Sequence, residues 1–183
     1  LKTTIHVVCI DKCRGGITHD ASGAEVSAAI VDASSWPRCR FVYSSFGCNT
    51  FSVLHYLKDA QGRPGRPYRD IDHPLGFLRS DGTRPPIVVE SNATVKCAAE
   101  AMMACYANGG QFAAETPLHR RAGTPDSMPG CEKHACMYDT PWFQLLIQST
   151  GAVEIPIDQC RFLDNPADAA ETGPKGTGML FSP

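Results

Sequence analysis

The stretch FVYSSFGCNTFS, residues 41–52, carries a cysteine where an apolar, β-branched and aromatic run gives way to a turn. A thiolate is an intrinsically good nucleophile, and the exposed N–H groups of a strand-to-helix turn lower a thiol's pKa. Cys48 is therefore a candidate nucleophile. A second run, QFAAE at 111–115, ends in Glu115. A carboxylic acid at such a point is suited to holding or delivering a proton at a ring nitrogen. A third run, IHVVCID, ends in Asp11. In open α/β sheets the ligand crevice lies beyond the carboxyl ends of the strands, so all three groups are expected on one rim.

The elements that would position them follow from periodicity and punctuation. Residues 5–11 read as a short buried strand. Ser22 is the expected cap of a helix over 23–34, with Val26, Ile30 and Val31 on one face. Pro37 ends it, and residues 39–45 form the next strand. A short helix is expected near FSVLHYLKD. Residues 61–86, rich in Gly, Pro and Arg, read as a long functional loop. Thr83, Pro85 and Pro86 open a helix over 87–107, burying Val88, Val95, Ala99, Met102 and Met103. Asn108-Gly109-Gly110 closes it. Strand 111–115 is stopped by Thr116-Pro117, and residues 118–139 are irregular. A helix over 140–149, a strand over 153–157 and a last strand in TGMLFS complete the order. This alternation predicts one α/β domain over residues 1–183, an open sheet with helices on both faces.

Composition narrows the function classes. With 43% hydrophobic and 20% charged residues, the 183-residue chain has the make-up of a soluble globular domain. No apolar window is long enough to span a bilayer, so no membrane partner is expected. The net charge of −2 argues against broad, non-specific nucleic-acid binding. Arginines cluster locally, however, at Arg63, Arg66 and Arg69, at Arg79 and Arg84, and at Arg120 and Arg121. Such clusters suit either a solvated loop or a rim that tracks phosphates. The nine cysteines read mainly as reduced core residues of an intracellular protein, nuclear or cytoplasmic. The start, LKTTIHVVCID, lacks a Met and is too short in apolar character for a signal peptide, and the chain is expected to be part of a larger polypeptide.

The motifs around the candidate residues resemble those of DNA (cytosine-5) methyltransferases. FGCNTFS is similar to their nucleophile motif, a Pro-Cys-Gln or relative followed by Phe-Ser. AETP at 114–117 looks like their Glu-Asn-Val or Glu-Asn-Pro motif. IHVVCID resembles the strand whose acid holds the cofactor ribose, and THD at 18–20 falls where an acid contacts the adenine. QCRFLDNPADAAETGPKGTGMLFS resembles the late segment of divergent members. The resemblance runs from about residue 5 to 182. It departs at Gly47, where the family has proline, and at Thr116, where it has asparagine. The Phe-x-Gly-x-Gly cofactor loop and a separate target-recognition domain are absent from the sequence.

This resemblance implies an incomplete Rossmann-like methyltransferase sheet and a DNA substrate. Cys48 would attack C6 of cytosine, and Glu115 would hold or protonate N3. S-adenosylmethionine would be bound through Asp11 and Asp20. Asn49, Ser52, Arg66 and Arg69 would contact the substrate, and a duplex base would be flipped out of its stack.

Two other classes remain open. One is a non-catalytic interaction or structural domain on the same scaffold. The other is zinc binding through Cys131, His134 and Cys136 in CEKHAC, with His119 as a fourth ligand. A zinc deaminase fits less well, because CAAE at 97–100 and the later cysteines miss the required spacings.

Overall fold

The computed structural model describes residues 6–10, 15–45, 49–58, 61–124, 127–158 and 176–183. Among these residues, three α-helices and four strands form an α/β unit with one mixed sheet. The helices are α1 (Ala24–Ser34), α2 (Pro86–Ala107) and α3 (Pro141–Thr150). The strands are β1 (Phe41–Ser45), β2 (Gln111–Pro117), β3 (Val153–Asp158) and β4 (Gly176–Phe181), in the spatial order β1-β2-β4-β3.

Local chemistry sets most of the boundaries. Helices α2 and α3 each begin with a proline in the first turn, where a missing N–H costs nothing. Helix α3 stops at Gly151, whose φ of 71° is the left-handed conformation that glycine adopts without a Cβ penalty. Its N–H then bonds the Ile147 carbonyl at 2.9 Å. Helix α1 departs from expectation at its start. Gly23 is its N-cap, and Ser22 instead bonds Asp20, ordering the turn before the helix.

Strands β1 and β2 are parallel, joined through α2. Strand β4 inserts antiparallel between β2 and β3, which makes the sheet mixed. It pairs with β2 as far as Pro117, so Thr116 and Pro117 continue the strand they were expected to end. Pro156 lies in β3, an edge strand, where a missing donor is tolerated.

Cross-strand register fixes which side chains share a face. Val42 pairs with Phe112, and Ala114 pairs with Leu180. This face packs against Val95, Ala99 and Met102 of α2 and Phe143 and Leu146 of α3. Val88, Val95, Ala99 and Met102 are fully buried as expected, while Met103 is half-buried. Helix α1 packs on α2.

The opposite face carries Phe41 and Tyr43 of β1 and Val153 and Ile155 of β3, all exposed. Among the described residues, no helix covers it, so the expectation of helices on both faces is not met there. The strand expected at 5–11 also differs. Residues 6–10 have no strand pairing, and Val7 and Val8 are each 84% exposed. An apolar run becomes a strand only when a neighbour satisfies its backbone, and no described strand pairs with the outer edge of β1. Asp11 lies outside the described residues. No helix among the described residues is long and apolar enough to cross a membrane.

Candidate active site

The parallel pairing of β1 and β2 sets Ser45, the last residue of β1, directly beside Glu115, two residues before the end of β2. The Tyr43 hydroxyl donates to Glu115 Oε2 at 2.9 Å, and Ser45 Oγ donates to the same oxygen at 3.1 Å. These three residues lie on the open face of the sheet. Partial burial first, and the adjacent carboxylate second, raise the Tyr43 pKa and keep its proton in place as a donor. The acid is thus oriented by two hydroxyls from the neighbouring strand. Such an arrangement can accept an N–H or hold a proton against a bound ring. Cys48, three positions past Ser45 in sequence, lies outside the described residues.

The chain that follows is strongly anchored. Thr50 and Phe51 are buried. Thr50 Oγ1 bonds Ser91 Oγ on α2 at 2.8 Å. The Phe51 carbonyl contacts His134 Nε2 at 2.9 Å. Asn49 is exposed, and its carbonyl contacts His55 Nε2 at 2.5 Å. Ser52 caps a 3-10 turn at Val53–His55, its hydroxyl accepting from Leu54 N–H at 3.3 Å.

The two arginines assigned to substrate have different fates. Arg66 is exposed, as a phosphate contact requires. Arg69 is only 1% exposed. Its guanidinium donates to the Pro74 carbonyl at 2.7 Å, Asn92 Oδ1 at 3.0 Å and Thr50 Oγ1 at 2.7 Å. It also lies 3.8 Å above the Phe51 ring. With these partners turned inward, Arg69 anchors the segment after Cys48 and presents no open charge to a phosphate. Burial lowers its pKa to about 10.

Asp20 precedes α1 and shares a shallow depression with Ser22, Arg84, Pro86 and Glu90 at the start of α2. Helix α2 connects two parallel strands, so its amino end points towards the side of the sheet where their carboxyl ends lie. Asp20 Oδ1 accepts from the Ser22 N–H at 3.0 Å and from its hydroxyl at 2.6 Å.

The expected zinc set is rearranged. His134 is fully buried, with Nε2 on the Phe51 carbonyl and Nδ1 accepting from the Arg120 N–H at 3.3 Å. Burial lowers its pKa, and both nitrogens are committed to the backbone. Cys131 is buried but outside the donor cluster. Among the described residues, the donor atoms that converge are those of His119, Cys136 and Asp139. Sequence reading named the first two but missed Asp139, Tyr43 and Ser45, because contacts across the fold bring them in. The spacing Ser-x-x-Cys at 45–48 is the only sequence signal that ties one of them to Cys48.

No family model matches this chain, and no curated protein or solved structure matches it at a significant level.

Proposed function

We propose that the rim at Ser45 and Glu115 is the base-handling part of a DNA cytosine-5 methyltransferase-type site, with Cys48 as its nucleophile. The observation that supports this most directly is the Glu115 carboxylate, held by Tyr43 and Ser45 at the end of the strand that leads to Cys48. Covalent geometry keeps a residue three positions past Ser45 within about 11 Å of it.

In this reading the Cys48 thiolate adds to C6 of a flipped cytosine, and electron density moves into the ring towards C5 and N3. Glu115 neutralises it with a proton or hydrogen bond at N3. C5 then takes the methyl group, loses its proton, and elimination of Cys48 restores the ring. S-adenosylmethionine supplies the methyl group and would be held through Asp11 and Asp20. An acid ordered beside the start of α2, as Asp20 is, suits the adenine end of that ligand. Arg69 orders the segment after the nucleophile, and Arg66 is the arginine open to a phosphate.

An oligonucleotide carrying 5-fluorocytosine tests this, because fluorine at C5 blocks the elimination. The full-length protein with S-adenosylmethionine is expected to give a denaturant-resistant adduct that Cys48→Ser abolishes. Glu115→Gln is expected to slow its formation by about 100-fold or more. No adduct with the wild-type protein would defeat the reading.

The exposed apolar face of Phe41, Tyr43, Val153 and Ile155 favours a second reading, a non-catalytic interaction domain. That reading predicts no calorimetric signal with S-adenosylmethionine.

A further inference from the structure

On the helix-packed side of the sheet, away from Glu115, a second set of reactive groups converges. His119 lies two residues past β2. Cys136 caps the 3-10 turn at Met137–Asp139, and Asp139 ends it. His119 Nε2 is 3.2 Å from Cys136 Sγ, and His119 Nδ1 is 3.7 Å from Asp139 Oδ2. One donor atom from each of the three lies within 4.8 Å of the others. Glu154 of β3 adds a carboxylate oxygen 3.4 Å from His119 Nε2. Cys136 is completely buried, and the Asp139 side chain is 7% exposed.

We propose that His119, Cys136 and Asp139 form a binding site for a divalent cation of the zinc class, with Glu154 beside it. Thiolate, imidazole and carboxylate together suit zinc better than the hard cations, which take oxygen donors alone. Around tetrahedral zinc, a nitrogen and a sulfur ligand sit roughly 3.5 Å apart, close to the separation here.

A further observation points to a cation. Glu154 Oε1 is a buried polar atom that makes no hydrogen bond among the described residues, and the other oxygen of that carboxylate lies 3.4 Å from His119 Nε2, the nitrogen that faces Cys136. Native structures rarely leave a buried polar atom unsatisfied.

Outer contacts support the ligands, as metal sites require. Arg121 donates to Asp139 Oδ1 at 2.6 Å, and the Cys136 N–H donates to Asp139 Oδ2 at 2.8 Å. The same three residues resemble a nucleophile with its base and orienter, but a sulfur with no exposed surface offers a substrate no approach. A cation needs only a narrow entry, which the partly exposed side chains of Glu154 and His119 leave open. As the sulfur–metal bond forms, the thiol proton leaves to solvent. Neither the Cys48 nor the Glu115 chemistry is involved, so the two proposals fail independently.

The test is metal titration of the full chain after chelator treatment under reducing conditions. Cobalt(II) is expected to bind once per chain, with tetrahedral d–d bands and a thiolate-to-cobalt charge-transfer band, and zinc is expected to displace it. Cys136→Ser should abolish the charge-transfer band, and His119→Gln and Asp139→Asn should each weaken binding at least about 10-fold. Cys131→Ser and Cys39→Ser should bind as the wild type does. Binding below about one cobalt per ten chains, or a charge-transfer band that survives Cys136→Ser, overturns the proposal. Should Cys136→Ser fail to fold, X-ray absorption on the metal-loaded wild type decides. One sulfur with nitrogen and oxygen ligands supports the site, and two or more sulfurs refute it.

Discussion

Replacing Arg69 with methionine separates an anchoring role from a substrate-binding one. The wild-type guanidinium serves three neutral acceptors: the Pro74 carbonyl, Asn92 Oδ1 and Thr50 Oγ1. Thr50 keeps its Ser91 partner in the variant, so two part-buried acceptors, the Pro74 carbonyl and Asn92 Oδ1, lose this donor. Each orphaned acceptor costs about 1–3 kcal/mol. Loss of the cation over the Phe51 ring adds about 1 kcal/mol. Against this stands the relief of a buried charge. Burial lowers the Arg69 pKa to about 10, which corresponds to roughly 3 kcal/mol of desolvation that methionine does not bear. The expected net loss is about 2 kcal/mol, read as a lower midpoint in urea with an unchanged slope. Arg69→Lys should do no better, since a compact, strongly hydrated ammonium cannot serve acceptors on both sides of a guanidinium fork. A methionine variant within about 0.5 kcal/mol of wild type that loses nucleic-acid affinity would refute the anchoring argument.

Two further perturbations test the packing around the site. His134 is buried and its pKa held below the usual histidine range, so on acidification the unfolded chain takes up the proton first. Its stabilising contribution is complete above about pH 6.5 and is lost as pH falls through the folded-state value. Urea midpoints are expected to drop between about pH 7.5 and pH 5.5, and His134→Gln should flatten that dependence. Tyr138 is buried, and its hydroxyl reaches the Ala114 carbonyl at 2.9 Å and the Gly178 carbonyl at 3.1 Å, bridging β2 and β4. Tyr138→Phe is expected to cost about 1–2 kcal/mol in the same assay. A variant as stable as wild type would show that the hydroxyl contributes nothing to joining the strands.

Periodicity and punctuation were enough to locate α1, α2 and α3, because each depends on a local stripe of apolar residues and on nearby proline or glycine. They also located β1, and β2 as far as Glu115. The run IHVVCID misled for the opposite reason. A strand is made by its neighbour, and residues 6–10 have none among the described residues. The extension of β2 through Pro117 likewise depends on β4, some sixty residues away in sequence.

The same division runs through the candidate sites. The types and local order of Cys48, Glu115 and the arginines were fixed by sequence, as was the α/β class. Which arginine faces inward was not. Arg66 and Arg69 share one cluster, yet only Arg69 is drawn between α2 and the segment at Thr50 and Phe51. Nor could spacing show that His134 would spend both ring nitrogens on backbone groups while Cys136 met His119 and Asp139. Residue type sets what a side chain can do. Burial and the partners brought by distant segments decide what it does, because a charge or polar atom taken out of water must find its counterpart wherever the fold supplies one.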